Sequence, residues 1–185
     1  SGQSLGSMTS QGFAATNPEF YAAVASTSGP LMLSAEEDRT YKAFPTYMIY
    51  GMGDLDMLEG NPWDGIDNLL DDWMQYMLKA NKLDFAAVGE NDYTEVALDQ
   101  FGHKNLHVWT WTKTVDGVEV PMVQLAENMV RSHNCISAEM PELWNYMKHF
   151  SMDKKGTRYY SASAFAEDDA VVIPEGQDFD NVKSL

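Results

Sequence analysis

Gly2-Gln3-Ser4-Leu5-Gly6 sets a serine between two glycines at the spacing G-x-S-x-G, and a stretch of helical character follows at once. The spacing has a physical meaning. A serine on a sharp, strained turn holds its hydroxyl clear of the backbone, and flanking glycines let neighbouring chain pass where a Cβ would clash. The helix that follows points its first N–H groups at the place where an oxyanion would form. Ser4 is therefore a candidate nucleophile, and the backbone N–H of Leu5 a candidate oxyanion donor. The competing reading makes Ser4 an ordinary N-cap, its side chain bonded to the start of the helix.

The chain is long enough for a real core. Its 185 residues include 44% apolar side chains with five Trp, nine Tyr and eight Phe, which excludes a disordered tail and fits one domain. The 28 acidic against 12 basic residues give a formal net charge of -16, a field that repels nucleic acid and anionic membrane surfaces. No run approaches the ~20 apolar residues that span a bilayer. Cys135 is the only cysteine, so no intrachain disulfide forms, and it reads either as a small buried apolar residue or as a partner for a cysteine outside this sequence.

Residues 5–16 read as a helix rich in small side chains, able to approach a sheet closely, and Asn17-Pro18 ends it. Residues 22–27 form a short apolar run closed by Ser28-Gly29-Pro30, the pattern of a buried parallel strand. Residues 31–44 are polar and irregular. Pro45 to Tyr50 is the next strand, and it ends in Gly51-Met52-Gly53-Asp54-Leu55-Asp56. From Pro62 to about Lys82 the apolar residues Ile66, Leu69, Leu70, Trp73, Tyr76, Met77 and Leu78 recur at helical spacing. Pro62 suits the first turn, and early Asp with late Lys residues match the helix dipole. Residues 84–101 fit no single pattern. Residues 106–112 and 118–125 flank Asp116-Gly117, a strong hairpin signal. Residues 126–137 read as a loop. A helix is expected from Ala138 to about Phe150, with Leu143, Trp144, Met147 and Phe150 inward. The tail from Ser151 mixes strand and polar segments and ends acidic.

Two further carriers of chemistry follow Ser4 in a meaningful order. Asp54 lies in a turn just past a strand, and His133 in a late loop just before a helix. Ser, then acid, then His along the chain is one of the orders in which a catalytic triad is built. Ser4 would attack a carbonyl, His133 would take and return the proton, and Asp54 would fix the imidazole tautomer. Asp56 flanks the same turn, and Asp54 is preferred because it follows the strand directly. His103 and His107 read as surface or pairing residues, and His149 as a helix C-terminal cation.

These segments together resemble the polyhydroxybutyrate-depolymerase and feruloyl-esterase type of α/β-hydrolase. Residues 2–9 and 17–25 are similar to that family's elbow, helix, P-x-x-F-x-A turn and next strand. Residues 45–54 resemble its acid strand, with Tyr50 where His is usual. Ser132-His133 falls where the family carries its catalytic His. Ser7 replaces a usual glycine, and no glycine precedes His133. The resemblance implies an α/β fold: the C-terminal part of an α/β-hydrolase sheet, parallel strands with flanking helices plus a hairpin, lacking the N-terminal strands. Residues 1–185 would form that half-domain, with 151–185 a divergent tail. It further implies an ester substrate, no cofactor and no metal, and a secreted or cell-surface location. The remaining half of the same protein would supply the second oxyanion donor. A sheet edge left open would invite pairing with a second copy of the chain.

Three other functions compete. A serine peptidase would use the same triad. A noncatalytic carbohydrate- or ligand-binding module is suggested by Trp109 and Trp111, which share one strand face and could form an exposed stacking platform. The Asp64-Asp67-Asp71-Asp72 cluster raises a metal site, but it lacks ligand spacing and reads as a solvated helix face.

Overall fold

The computed structural model describes residues 1–31, 43–58, 60–65, 68–99 and 101–176. The expected irregular segment therefore falls largely outside the described residues, as do Ile66, Asp67 and the acidic end of the tail. The fold is mixed α/β, with a five-stranded mixed sheet and a separate three-stranded antiparallel one.

The chain opens with Gly2–Ser4 running beside a strand and then turns into α1 (Leu5–Thr16). A 3-10 turn, Pro18–Phe20, leads to β1 (Val24–Thr27), and β2 follows (Thr46–Gly51). The 3-10 turn Met52–Asp54 and the short α2 (Leu55–Leu58) come next, then α3 (Leu69–Ala80). A hairpin-based unit comprises β3 (Thr94–Val96), β4 (Leu106–Val115) and β5 (Val118–Asn128). Helix α4 (Glu139–Met147) precedes the small sheet of β6 (Phe150–Met152), β7 (Arg158–Tyr160) and β8 (Val171–Val172).

The large sheet has the order β1-β2-β5-β4-β3. β1, β2 and β5 are parallel, with Met48 opposite Ser26 on one side and Leu125 on the other, whereas β4 and β3 are antiparallel. Every residue of β1 and β2 is buried, as expected for strands covered on both faces. Gln11 on α1 donates to Ser26 on one face, while Tyr47 packs against Tyr146 of α4 on the other. The hairpin turn places Asp116 at φ 51 and Gly117 at φ 82, the left-handed pair that an Asp-Gly turn accommodates.

A polar tie locks α1 and α3 to the sheet. Gln11 is fully buried and donates to Gly29 O at 2.8 Å, while its Oε1 accepts from Trp73 Nε1 at 2.5 Å. Both ends of the amide are satisfied, which removes the cost of burying it. Trp73, Tyr50 and Met48 are fully buried on the side of this tie, and Tyr47 is fully buried on the opposite face.

Several sequence expectations need correction. The central helix begins at Leu69, seven residues beyond Pro62. Asn61 and Asp64 close local turns there, since Trp63 N donates to Asn61 Oδ1 and Asn61 N to Asp64 Oδ2. Asn68 is the true cap, accepting from Leu70 N and Asp71 N. The last helix ends at Met147, Phe150 belongs to β6, and Trp144 is 52% exposed beside Phe165. β5 extends to Asn128, into the expected loop. Cys135 is exposed, not buried. Trp109 and Trp111 do share a face, but they are buried under Trp63 and Phe85, with Trp63 and Trp109 centroids 4.7 Å apart. Their indole N–H groups donate to Glu90 O and Phe85 O, so residues 85–90 of the ambiguous segment fold over the rings. The exposed stacking platform does not exist.

The position of the cap is testable by denaturant unfolding. Asn68→Ala is expected to cost about 1 kcal/mol.

Candidate active site

Ser4, Asp54 and His133 meet at the C-terminal ends of the parallel strands. Ser4 Oγ lies 2.9 Å from His133 Nε2, and His133 Nδ1 lies 2.7 Å from Asp54 Oδ1. These three residues are drawn from positions 129 apart in sequence between Ser4 and His133. Each follows a strand or a strand-like segment. Residues 2–4 pair with β1 through Thr27 N to Gly2 O and Ser4 N to Thr27 O, both 3.0 Å. Asp54 comes after β2, and His133 comes after β5.

Ser4 adopts φ 54 and ψ -123, a conformation that L-residues rarely enter. Strain of this kind costs about 1–3 kcal/mol and persists only where surrounding structure enforces it. Gly2 is part of the enforcement, because a Cβ there would sit 2.2 Å from Gly6 O. Gly6 itself has open space around a would-be Cβ, so only the first glycine of the motif is required by close approach. Ser4 makes no side-chain cap to α1; its hydroxyl is turned to His133 instead. Leu5 opens the helix, and among the described residues its N–H has no acceptor, which leaves it free for an oxyanion.

Asp54 is 1% exposed, whereas Asp56 faces solvent. Its two oxygens have divided tasks. Oδ1 takes the His133 ring. Oδ2 accepts from Gly51 N at 2.7 Å and Ser28 Oγ at 2.9 Å, with Arg131 Nη1 at 3.4 Å. Because Oδ1 accepts at Nδ1, the neutral imidazole carries its proton there and leaves Nε2 as the base toward Ser4. The acid turn and the histidine loop touch closely: Gly53 N donates to Arg131 O at 3.0 Å, and a Cβ on Gly53 would lie 2.7 Å from Ser132 Cα.

Residues that the sequence did not single out surround the triad. Ser28, Arg131 and Glu139 are all buried and linked by hydrogen bonds, with Arg131 Nε donating to Glu139 Oε1 at 2.6 Å. Arg131 lies two residues before His133, which is the one local sign it offered. Glu127, at the end of β5, is held above the ordinary carboxylate range by burial. The other histidines are occupied elsewhere: His103 with Asp99 at 2.6 Å, His107 stacked on Tyr93, and His149 donating from Nδ1 to Ser161 O. Of the proposed acidic cluster, Asp71 and Asp72 lie in the first turn of α3. Among the described residues no three His, Cys, Asp or Glu side chains are grouped to hold a metal ion.

No family model, curated protein or solved structure matches this chain. No helix among the described residues is long and apolar enough to cross a membrane.

Two outcomes follow from this geometry. Gly53→Ala should push the histidine loop away from Asp54 and destabilise the fold by about 1–3 kcal/mol, read by denaturant unfolding. Glu127→Gln should gain stability relative to the parent as pH rises. A carboxyl raised in the folded state contributes fully below its unfolded value near 4.5, and that contribution is lost as pH rises through the folded value. The difference between the two proteins is expected to open above pH 4.5 and then level off.

Proposed function

We propose that this chain is a serine carboxylic-ester hydrolase of the α/β-hydrolase type, acting on polyester, feruloyl or acetyl esters. The observation that carries the reading is the continuous hydrogen-bonded chain from a strained Ser4 through His133 to a buried Asp54. An N-capping serine has no reason to adopt a positive φ or to meet an imidazole 129 residues away. The order of elements also supports it. A nucleophile precedes the first helix, an acid follows the second of three parallel strands, and a histidine follows the third.

The reaction runs through an acyl-enzyme. Ser4 Oγ attacks the ester carbonyl carbon while His133 Nε2 takes the hydroxyl proton. The carbonyl oxygen becomes an oxyanion and receives the Leu5 N–H. The tetrahedral adduct collapses, the C–O bond to the alcohol breaks, and His133 returns its proton to the leaving oxygen. Water then attacks the acyl-Ser4 with His133 again as base, releasing the carboxylic acid and restoring the serine. Asp54 stays ionised throughout and stabilises the imidazolium. The reading calls for a second oxyanion donor beside the Leu5 N–H. Removing one such donor costs ~10²–10³ in turnover. The binding-module alternative loses the platform that favoured it, since Trp109 and Trp111 are covered.

A fluorophosphonate probe tests the reading. Label is expected on Ser4 alone, absent in Ser4→Ala and slowed by at least about 10³-fold in His133→Ala, read by intact mass and peptide mapping. Equal labelling in His133→Ala, or label on another residue, would contradict it.

A further inference from the structure

Arg131 is 4% exposed, and its guanidinium reaches five segments of the chain. Nε donates to Glu139 Oε1 at 2.6 Å, at the start of α4. Nη2 donates to Thr27 Oγ1 at 3.0 Å and to Ile49 O at 3.4 Å, at the ends of β1 and β2. Nη1 meets Ser28 Oγ at 2.5 Å and Asp54 Oδ2 at 3.4 Å. The same nitrogen donates to Ser132 O at 3.0 Å and to Asn134 O, the carbonyls on either side of His133.

Pairing with Glu139 explains only the Nε end. Glu139 is fully buried, and a buried carboxylate needs a cation or strong donors. It already accepts from Asn128 Nδ2 at 2.8 Å and Thr27 Oγ1 at 3.2 Å. The other end of the fork does something else. It reaches the second oxygen of the triad acid, which Gly51 N and Ser28 Oγ also hold, and binds both peptide carbonyls that flank the triad base. A rotation of the Asp54 carboxylate or a shift of the 132–134 backbone would break contacts to one side chain. Lysine could not substitute, since a single ammonium offers no fork with fixed geometry.

We propose that Arg131 is a positioning residue that clamps Asp54 and His133 to each other and so keeps Oδ1 aligned on Nδ1. It acts through those two residues and does not touch the reacting carbonyl. Its consequence for rate rests on the hydrolase reading of Ser4; its consequence for the Asp54–His133 bond does not.

The test separates the two. Arg131→Met alone strands two buried carboxylates and risks misfolding, so it is paired with Glu139→Gln, which removes one of those charges. Arg131→Lys serves as the second variant, keeping the charge without the fork. Two readouts are taken on folded protein, verified by circular dichroism and a cooperative melt. One is the far-downfield proton resonance of the His133 Nδ1–H, which reports the bond to Asp54 without any activity. The other is the rate of Ser4 labelling by a fluorophosphonate. Arg131→Met/Glu139→Gln is expected to lose the resonance and to slow labelling by about 100-fold at saturating probe, with probe affinity little changed. Arg131→Lys is expected to fall by about 10-fold with a broadened resonance. If both variants keep the resonance and label within about twofold of the parent, Arg131 merely neutralises Glu139 and the inference is overturned. If the parent fails to label while variant and parent differ in the resonance, the hydrolase reading fails and the clamp stands. A variant too unstable to read leaves Arg131→Lys to decide, since it retains the ion pair.

Discussion

A carboxylate taken out of water must have its charge met by donors, and that requirement at Asp54 organises this molecule. At 1% exposure its Oδ2 is met by a backbone N–H, a serine hydroxyl and a guanidinium, all drawn from different strand ends. Satisfying one oxygen so fully leaves the other to a single partner, the His133 ring. Ends of β1, β2 and β5 are thereby drawn to one point. The same accounting extends inward, since Arg131 is itself buried and is balanced by Glu139 at the head of α4. Polar groups this deep are tolerable only when every member is satisfied. The network therefore fixes side-chain orientation more strictly than apolar packing would.

Against that rigid side stands the strained one. Ser4 is held at positive φ between its pairing to Thr27 and the first turn of α1. The helix is anchored in turn by Gln11, which binds Gly29 of the following segment and the indole of Trp73. A helix so tied cannot rotate to relax the serine. The result is a hydroxyl, a helix N-terminal N–H and an imidazole nitrogen converging with little freedom to rearrange. Preorganisation of this kind is what electrostatic catalysis of acyl transfer requires.

How much of this was legible in the sequence depends on how local the cause is. The elbow, the small-residue helix behind it and the Asp-Gly hairpin were readable because each is dictated by adjacent residues. Gly2 is needed because Gly6 O comes within 2.2 Å of its would-be Cβ, a contact internal to the motif. Asp54 and His133 were readable by their order and by the kind of element each follows. The supporting shell was not. Ser28 and Arg131 stand 103 residues apart, and neither type nor spacing marks a pair made only by the sheet. The helix start was misplaced because Pro62 is a permissible first-turn residue, while Asn61 and Asp64 closed turns that competed with it. Period-two alternation put Trp109 and Trp111 on one face correctly, but it could not show that residues 85–90 would cover them.

The central claim is that these residues form a working nucleophile, and acyl-enzyme kinetics address it most directly. Mixing the chain with a chromogenic aryl ester in stopped flow should give a burst of one alcohol per chain. Quenching at the end of the burst should leave the acyl mass on the peptide carrying Ser4. Release of alcohol without a burst and without acyl on Ser4, at a rate unchanged in Ser4→Ala, would contradict the account.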